Sequence, residues 1–242
     1  MMDDRQVALR AIPLIDLTDL SDDGTPAQMD ALVARALALP VPVAALCIWP
    51  AFVAQARAAL GPSPIKLATV VNFPHGGEDV AAACAQTQAA LADGADEIDL
   101  VLPWHALVAG RDGMARDMVR GVARALSPAA QLKVIIESGE LPDARMIARA
   151  SRLAIDEGAN FIKTSTGKTA VSATPGAARI MLGVIREAGA NVGFKASGGL
   201  RTLAQAREYL ALADEILGSG FVSPAHFRFG ASSLLDPLLA AL

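Results

Sequence analysis

Lys163 and Lys195 stand inside apolar, strand-like runs, FIKTSTGK (161–168) and VGFKASGG (192–199), 32 residues apart. A lysine is rarely fully buried without a partner, so two in matched settings point to chemistry. Asp99, in EIDLVLP (97–103), lies 64 residues before Lys163. A lysine amine attacks a carbonyl only when neutral, and its ordinary pKa is about 10.4. Burial and a neighbouring cation both lower that value. Two lysines on adjacent strands supply both effects: one acts as nucleophile while the other holds the positive charge. Asp99 pairs with a cation and passes protons, which the carbinolamine, imine and enamine steps all require. Lys, Lys and Asp together fit Schiff-base chemistry. Taken singly, each has a plainer reading: a strand-end lysine with its head in solvent, or an aspartate that only balances charge.

These three residues need a scaffold that aims them at one point. Short apolar runs recur through the chain: IPLIDLT (12–18), AALCIWP (44–50), IKLATVVNF (65–73), EIDLVLP (97–103), KVIIES (133–138), FIKTST (161–166), VGFKASG (192–198) and FRFGASS (227–233). Ala-rich helical stretches separate them, and strands alternating with helices imply a parallel sheet of βα units. Eight runs in 242 residues match a single-domain (β/α)8 TIM barrel spanning 1–242, built at about 30 residues per unit. An open doubly wound sheet is the competing architecture, but no GxGxxG follows any strand. A further apolar run, DEILGSG (214–220), competes for the place of the eighth strand. Gly94 and Gly158 precede strands 4 and 6 and read as helix stops. Asp99, Lys163 and Lys195 then fall on strands 4, 6 and 7, and side-chain alternation turns all three toward the barrel interior. Lys66 and Lys133 open strands 3 and 5, where solvated roles are expected.

A second signal is anion binding. Gly167-Lys168 follows strand 6, Gly198-Gly199 follows strand 7, and Gly230-Ala231-Ser232-Ser233 ends strand 8 and opens a helix. Glycine lets backbone N–H groups approach a phosphate, and barrels commonly hold phosphate in the loops after strands 7 and 8. Ser232 and Ser233 have N-capping as their plainer role. The string GKT at 167–169 is no P-loop, because the upstream glycine that motif needs would fall at Ile162. Asp16 and Glu137 lie inward on strands 1 and 5, placed to orient the lysines, bind a substrate hydroxyl or balance charge. Thr18, Cys47 and Thr166 complete the candidate substrate-binding set. Trp49, Phe73 and Trp104 read as packing or site lining, and His75 as a rim residue, either a base or part of a loop.

Bulk properties set limits. Apolar residues make up 53% and charged residues 19%, and the net charge is −4. No basic stripe favours nucleic acid. The apolar stretch 41–54 is too short to span a bilayer and is broken by Pro42 and Pro50. The acidic N-terminal segment lacks a secretory pattern, so a soluble cytoplasmic protein with no membrane partner is expected. Cys47 and Cys84 read as reduced and packed. His75, His105 and His226 show no metal-ligand spacing.

The ordered motifs IDLTDLSDDGT, CIWPAFV, TVVNFPHG, GADEIDLVLP, KVIIESGEL, FIKTSTGK, GFKASGGLRT and FRFGASSLL resemble the deoxyribose-phosphate aldolases nearly end to end. These are class I aldolases on a (β/α)8 barrel. The resemblance implies reversible cleavage of 2-deoxyribose 5-phosphate into glyceraldehyde 3-phosphate and acetaldehyde, with no metal or organic cofactor, by a homodimer. It implies that Lys163 forms the Schiff base while Asp99 and Lys195 relay protons and tune it. It implies a phosphate site at Gly167, Lys168, Gly198, Gly199, Ser232 and Ser233. Some members carry a polar C-terminal tail that assists proton transfer; this sequence ends in LLDPLLAAL and has Tyr209 as its only tyrosine. Two other readings compete: a Schiff-base aldolase or transaldolase for another sugar phosphate, and a sugar-phosphate-binding protein without catalysis, which would not need the lysine pair.

Overall fold

Thr25-Pro26, Asp79, Asp143, Thr174-Pro175 and Thr202 each place a short polar acceptor just before an Ala-rich run. Each side chain accepts from a backbone N–H of the first turn of the helix it caps. Gly94 and Gly158 adopt φ of 102° and 103° where two of these helices end, a conformation that costs glycine little. The computed structural model describes residues 2–189 and 191–242. The strands are β1 (Ile15–Asp19), β2 (Ala45–Ile48), β3 (Lys66–Val71), β4 (Glu97–Val101), β5 (Gln131–Ile135), β6 (Phe161–Lys163), β7 (Gly193–Ser197) and β8 (Phe227–Ala231). The helices are α1 (Asp4–Ala11), α2 (Pro26–Leu37), α3 (Val53–Leu60), α4 (Val80–Ala92), α5 (Trp104–Val108), α6 (Asp112–Ala125), α7 (Ala144–Asp156), α8 (Pro175–Ala188), α9 (Leu203–Leu217) and α10 (Leu235–Leu239).

All eight strands pair in parallel in chain order, and β8 returns to β1 to close the barrel. The (β/α)8 expectation is met. The outward faces of the strands, such as Ile98, Leu100, Ile162 and Phe194, join the inner faces of the helices in one large apolar core. The run DEILGSG is not a strand. Its residues 214–217 form the end of α9 and Gly218 caps it, because Leu210 and Ala213 are buried at helical spacing and Ile216 and Leu217 continue that face. Ser232 and Ser233 are not N-caps either, since α10 opens later, with Leu234 at the cap position and no side-chain hydrogen bond there.

Register decides the depth of the inward residues. Asp99 stands level with Lys133, whereas Lys163 stands level with Ile135 and Lys195. Ile135 in turn pairs with Val101, two residues beyond Asp99 on β4. Lys163 therefore sits one layer closer than Asp99 to the C-terminal mouth, where barrel sites open.

Candidate active site

Inward alternation places an ionic cluster in the barrel interior instead of the usual branched apolar layers. Lys163 donates to Asp99 Oδ2 at 2.7 Å. Lys195 donates to the same oxygen at 2.7 Å and to Asp16 Oδ2 at 2.5 Å. Lys133 donates to Asp99 Oδ1 at 2.8 Å and lies 2.5 Å from Glu97 Oε2. Arg228 donates to Glu97 Oε1 at 2.9 Å and to Asp16 Oδ1 at 2.6 Å. Asp16, Asp99, Lys133 and Lys195 are fully buried, and Lys163 is 2% exposed. Asp99, Lys163 and Lys195 thus converge as read from the sequence.

Lys133 corrects an expectation. It is a buried hub and not a solvated strand end, because β5 begins two residues earlier than the apolar run and makes Lys133 an interior position. Glu97 and Arg228 were missed. Their signal was present: Glu97 shares the parity of Asp99 on β4, and Arg228 interrupts FRF on β8.

The charges act unequally on the lysines. Burial alone lowers all three. For Lys195, Asp16 and Asp99 more than reverse that effect and hold the ammonium above its ordinary range. For Lys133, Asp99 and Glu97 do the same. Lys163 faces one carboxylate, and burial, aided by Lys195, outweighs Asp99 and pushes its amine below the ordinary value. Burial would push Asp99 up, but Lys133, Lys163 and Lys195 hold it well below the usual carboxylate range.

Above this cluster the C-terminal loops enclose a cleft of about 640 Å³. Thr18, Thr166, Gly167, Lys168, Gly198, Gly199, Ser232 and Ser233 all line it, together with Arg35 and Arg201, which sequence reading did not select. Gly167, Gly198 and Gly199 adopt φ of 81°, 86° and 76°, the left-handed region that side chains resist. A methyl group on Gly198 would also come within 2.6 Å of Ser172. The three glycines turn loop backbone toward the cleft. Glu137 supports one of these loops: its carboxylate accepts from the Thr166 N–H at 3.2 Å and from the Thr169 hydroxyl at 3.3 Å. The Lys168 ammonium lies 6.0 Å from the Trp49 ring centroid and donates to exposed Asp22 at 2.8 Å.

Two members of the expected binding set are placed elsewhere. Asp16 does not line the cleft; Lys195 and Arg228 occupy its two oxygens, so it orients lysine and does not meet a substrate hydroxyl directly. Cys47 is fully buried, its thiol 3.9 Å from Asp99 Oδ2, in an apolar patch with Leu20, Ala45, Ala68 and Val70 under Trp49 and Phe73. Burial pushes its thiol up, away from the reactive thiolate. His75 is exposed on the loop after β3. Among the described residues, no group of three or more His, Cys, Asp or Glu side chains is placed to hold a metal ion, and no helix is long and apolar enough to cross a membrane.

Gly230, on β8, packs against the Lys195 side chain. A Cβ there would lie 2.8 Å from Lys195 Cε and 2.7 Å from Ser197 Oγ. Gly230→Ala is expected to displace the Lys195 side chain and lower kcat at least about 10-fold, with folding retained; wild-type kcat in the variant would show that Lys195 tolerates displacement.

A family model described as DeoC/LacD family aldolase matches residues 10–238. A structure from Toxoplasma gondii ME49, described as a candidate deoxyribose-phosphate aldolase in its apo form, is 27% identical with a TM-score of 0.90, covering 98% of this chain and 96% of that one. One from Coccidioides immitis, described in the same way, is 28% identical with a TM-score of 0.84, over 97% and 85% of the two chains. A tetrameric deoxyribose phosphate aldolase from Aeropyrum pernix shares the fold at 23% identity and a TM-score of 0.79, over 98% and 92%.

Proposed function

The chain belongs to the DeoC/LacD aldolase family, and on that premise we propose that it reversibly cleaves 2-deoxy-D-ribose 5-phosphate to D-glyceraldehyde 3-phosphate and acetaldehyde through a Schiff base on Lys163. One observation carries the assignment of the nucleophile. Of the three lysines buried in the barrel, Lys163 alone is pushed below its ordinary range, and it alone keeps exposed surface.

The sequence of steps follows from these positions. The neutral Lys163 amine adds to the C1 aldehyde, and the carbinolamine loses water to give an iminium. A base takes the proton from the C3 hydroxyl, the C2–C3 bond breaks, and its electron pair flows into the iminium to leave an enamine. Glyceraldehyde 3-phosphate departs. Protonation of the enamine carbon and hydrolysis of the new imine release acetaldehyde and restore the amine. Lys195 is the ammonium that supplies protons, and Asp99, 2.7 Å from both lysine nitrogens, carries them between the two. Asp99 stays a carboxylate at rest because the Lys133 and Lys195 ammonium groups beside it favour that form.

The cleft binds the phosphate. Backbone N–H groups at Gly167 and Gly199, the Ser232 and Ser233 hydroxyls and the Lys168 ammonium form the anion site, with Gly198, whose N–H is held by the Gly230 carbonyl, shaping the loop between them. Lys168→Ala is expected to raise KM for 2-deoxyribose 5-phosphate by about 10-fold or more and to leave kinetics on unphosphorylated 2-deoxyribose nearly unchanged. An equal loss on both sugars would remove Lys168 from phosphate binding.

Borohydride trapping tests the whole reading. The protein is incubated with 2-deoxyribose 5-phosphate, reduced and digested, and the adduct is mapped by mass spectrometry. A reduced adduct on the Lys163 peptide is expected. An adduct on Lys195 would exchange the two roles, and no adduct in a protein that turns over would refute the imine route.

A further inference from the structure

The interior ion pairs close on themselves. Following the contacts from Asp99, the path runs to Lys133, Glu97, Arg228, Asp16 and Lys195 and back to Asp99. Acid and base alternate at every step. The ring therefore holds three carboxylates and three cations and is neutral. Lys163 is attached to it only through Asp99. We propose that Glu97 and Arg228 are positioning residues for Lys163, acting through this ring to leave the Lys163 amine without a balancing charge of its own.

Charge balance is decisive where charges are buried. A protonated Lys163 would add an unbalanced cation to a neutral ring, and an unbalanced buried charge is costly. That cost favours the neutral amine. Lys163 faces Asp99 from β4, Lys195 from β7, Lys133 from β5 and Cys47 from β2, with Asp16 and Arg228 beyond them on β1 and β8. Glu137, after β5, is the remaining buried carboxylate nearby. Its oxygens are turned to the Thr166 N–H and the Thr169 hydroxyl, and among the described residues it makes no ion pair with Lys163, whose one such partner is Asp99.

Glu97 and Arg228 line a separate cavity of about 530 Å³, with Val43, Ala44 and Lys66 at the strand starts, and they take no part in lining the substrate cleft. The far arc of the ring thus belongs to the opposite mouth of the barrel. A substitution there reaches Lys163 through the ring and leaves the residues of the substrate cleft in place.

This inference rests on the Schiff-base reading, so its test reads the amine without requiring turnover. Trace reductive methylation with formaldehyde and a borane reductant reports the neutral fraction of each lysine, quantified by peptide mass spectrometry across neutral to alkaline pH. Arg228→Gln removes a cation, makes the ring negative and is expected to move the half-labelling pH of Lys163 up by about 1 unit. Glu97→Gln makes the ring positive and is expected to move it down by about 1 unit. Arg228→Lys and the double variant Glu97→Gln/Arg228→Gln restore balance and are expected to return it to within a few tenths of a unit of wild type. Opposite shifts of this kind have no counterpart in a merely structural role. Should Arg228→Gln fail to fold, the nearly isosteric Glu97→Gln carries the test against the double variant. Unshifted labelling in folded variants, or shifts of one sign, would overturn the inference. Acetaldehyde release from 2-deoxyribose 5-phosphate is measured on the same preparations. Wild-type turnover with unshifted variants defeats the ring alone, whereas absent turnover with opposite shifts defeats the aldolase reading alone.

Discussion

Lys163→Leu is expected to lower aldol cleavage by at least about 10⁴-fold, since no covalent intermediate can form, while the stability of the fold is unchanged or raised by about 1 kcal/mol. The combination is diagnostic. Removing one member of a buried ion pair ordinarily costs about 3–5 kcal/mol, because the partner is left as an uncompensated charge. Here Asp99 would keep Lys133 and Lys195, and the six-membered ring would stay neutral. The lost side chain is a desolvated amine held below its ordinary pKa by burial. Such a base is less readily protonated in the fold than in the unfolded chain, so wild-type stability rises with pH between the folded value and the unfolded value of about 10.4. Below the folded value the cost of the buried amine is fully present. The leucine variant is therefore expected to gain most below the folded value and to converge on wild type in alkali. Chemical denaturation at several pH values, beside the turnover assay, checks both halves. A loss of several kcal/mol at neutral pH would mean that Lys163 is an ammonium and that the nucleophile lies elsewhere.

The same residues show what could and could not be read from the chain. Lys163, Lys195 and Asp99 were legible because side-chain alternation is a local rule, and a lysine in the middle of FIK or GFK breaks it visibly. The glycine loops were legible because only glycine serves at φ near 80°. Lys133 was misread through a two-residue error in where β5 begins, which turned an interior side chain into a strand-end one. Element ends are where such readings fail, since fraying and capping decide them. Glu97 and Arg228 were missed for a different reason. Arg228 meets Asp16 across 212 residues and Glu97 across 131, contacts made only when β8 closes on β1. The ring is a property of closure, and no single segment carries it. Asp16 was placed correctly as an inward residue, but inward in a barrel this ionic means committed to another side chain, and Cys47, read as a packed thiol and also as a binding candidate, is buried in an apolar patch beside Asp99.

Asp99→Asn is expected to fail on both counts that Lys163→Leu separates. Asp99 accepts from three lysines at 2.7 to 2.8 Å, so it is the joint between the neutral ring and the nucleophile. An amide there leaves two carboxylates facing Lys133, Lys195 and Arg228, and one ammonium must shed its proton or remain unbalanced. Stability is expected to fall by about 3–5 kcal/mol at neutral pH. The pH dependence follows from the depressed carboxylate. Its folded pKa lies well below 3.8, so the stability that it contributes is fully present above the unfolded value of about 3.9 and is lost as pH falls through the folded value. Wild type and variant should therefore differ throughout the mildly acidic and neutral range and approach each other only in strong acid. Activity is expected to fall by about 10²–10⁴-fold through the lost proton relay, in kcat more than in KM, because Asp99 does not line the substrate cleft. Borohydride trapping on the variant distinguishes the steps: Lys163 adduct formation that persists while release of acetaldehyde stops would locate Asp99 in enamine protonation, and loss of the adduct itself would locate it in preparing the amine. A variant with wild-type kcat would end the assignment of Asp99 to proton transfer.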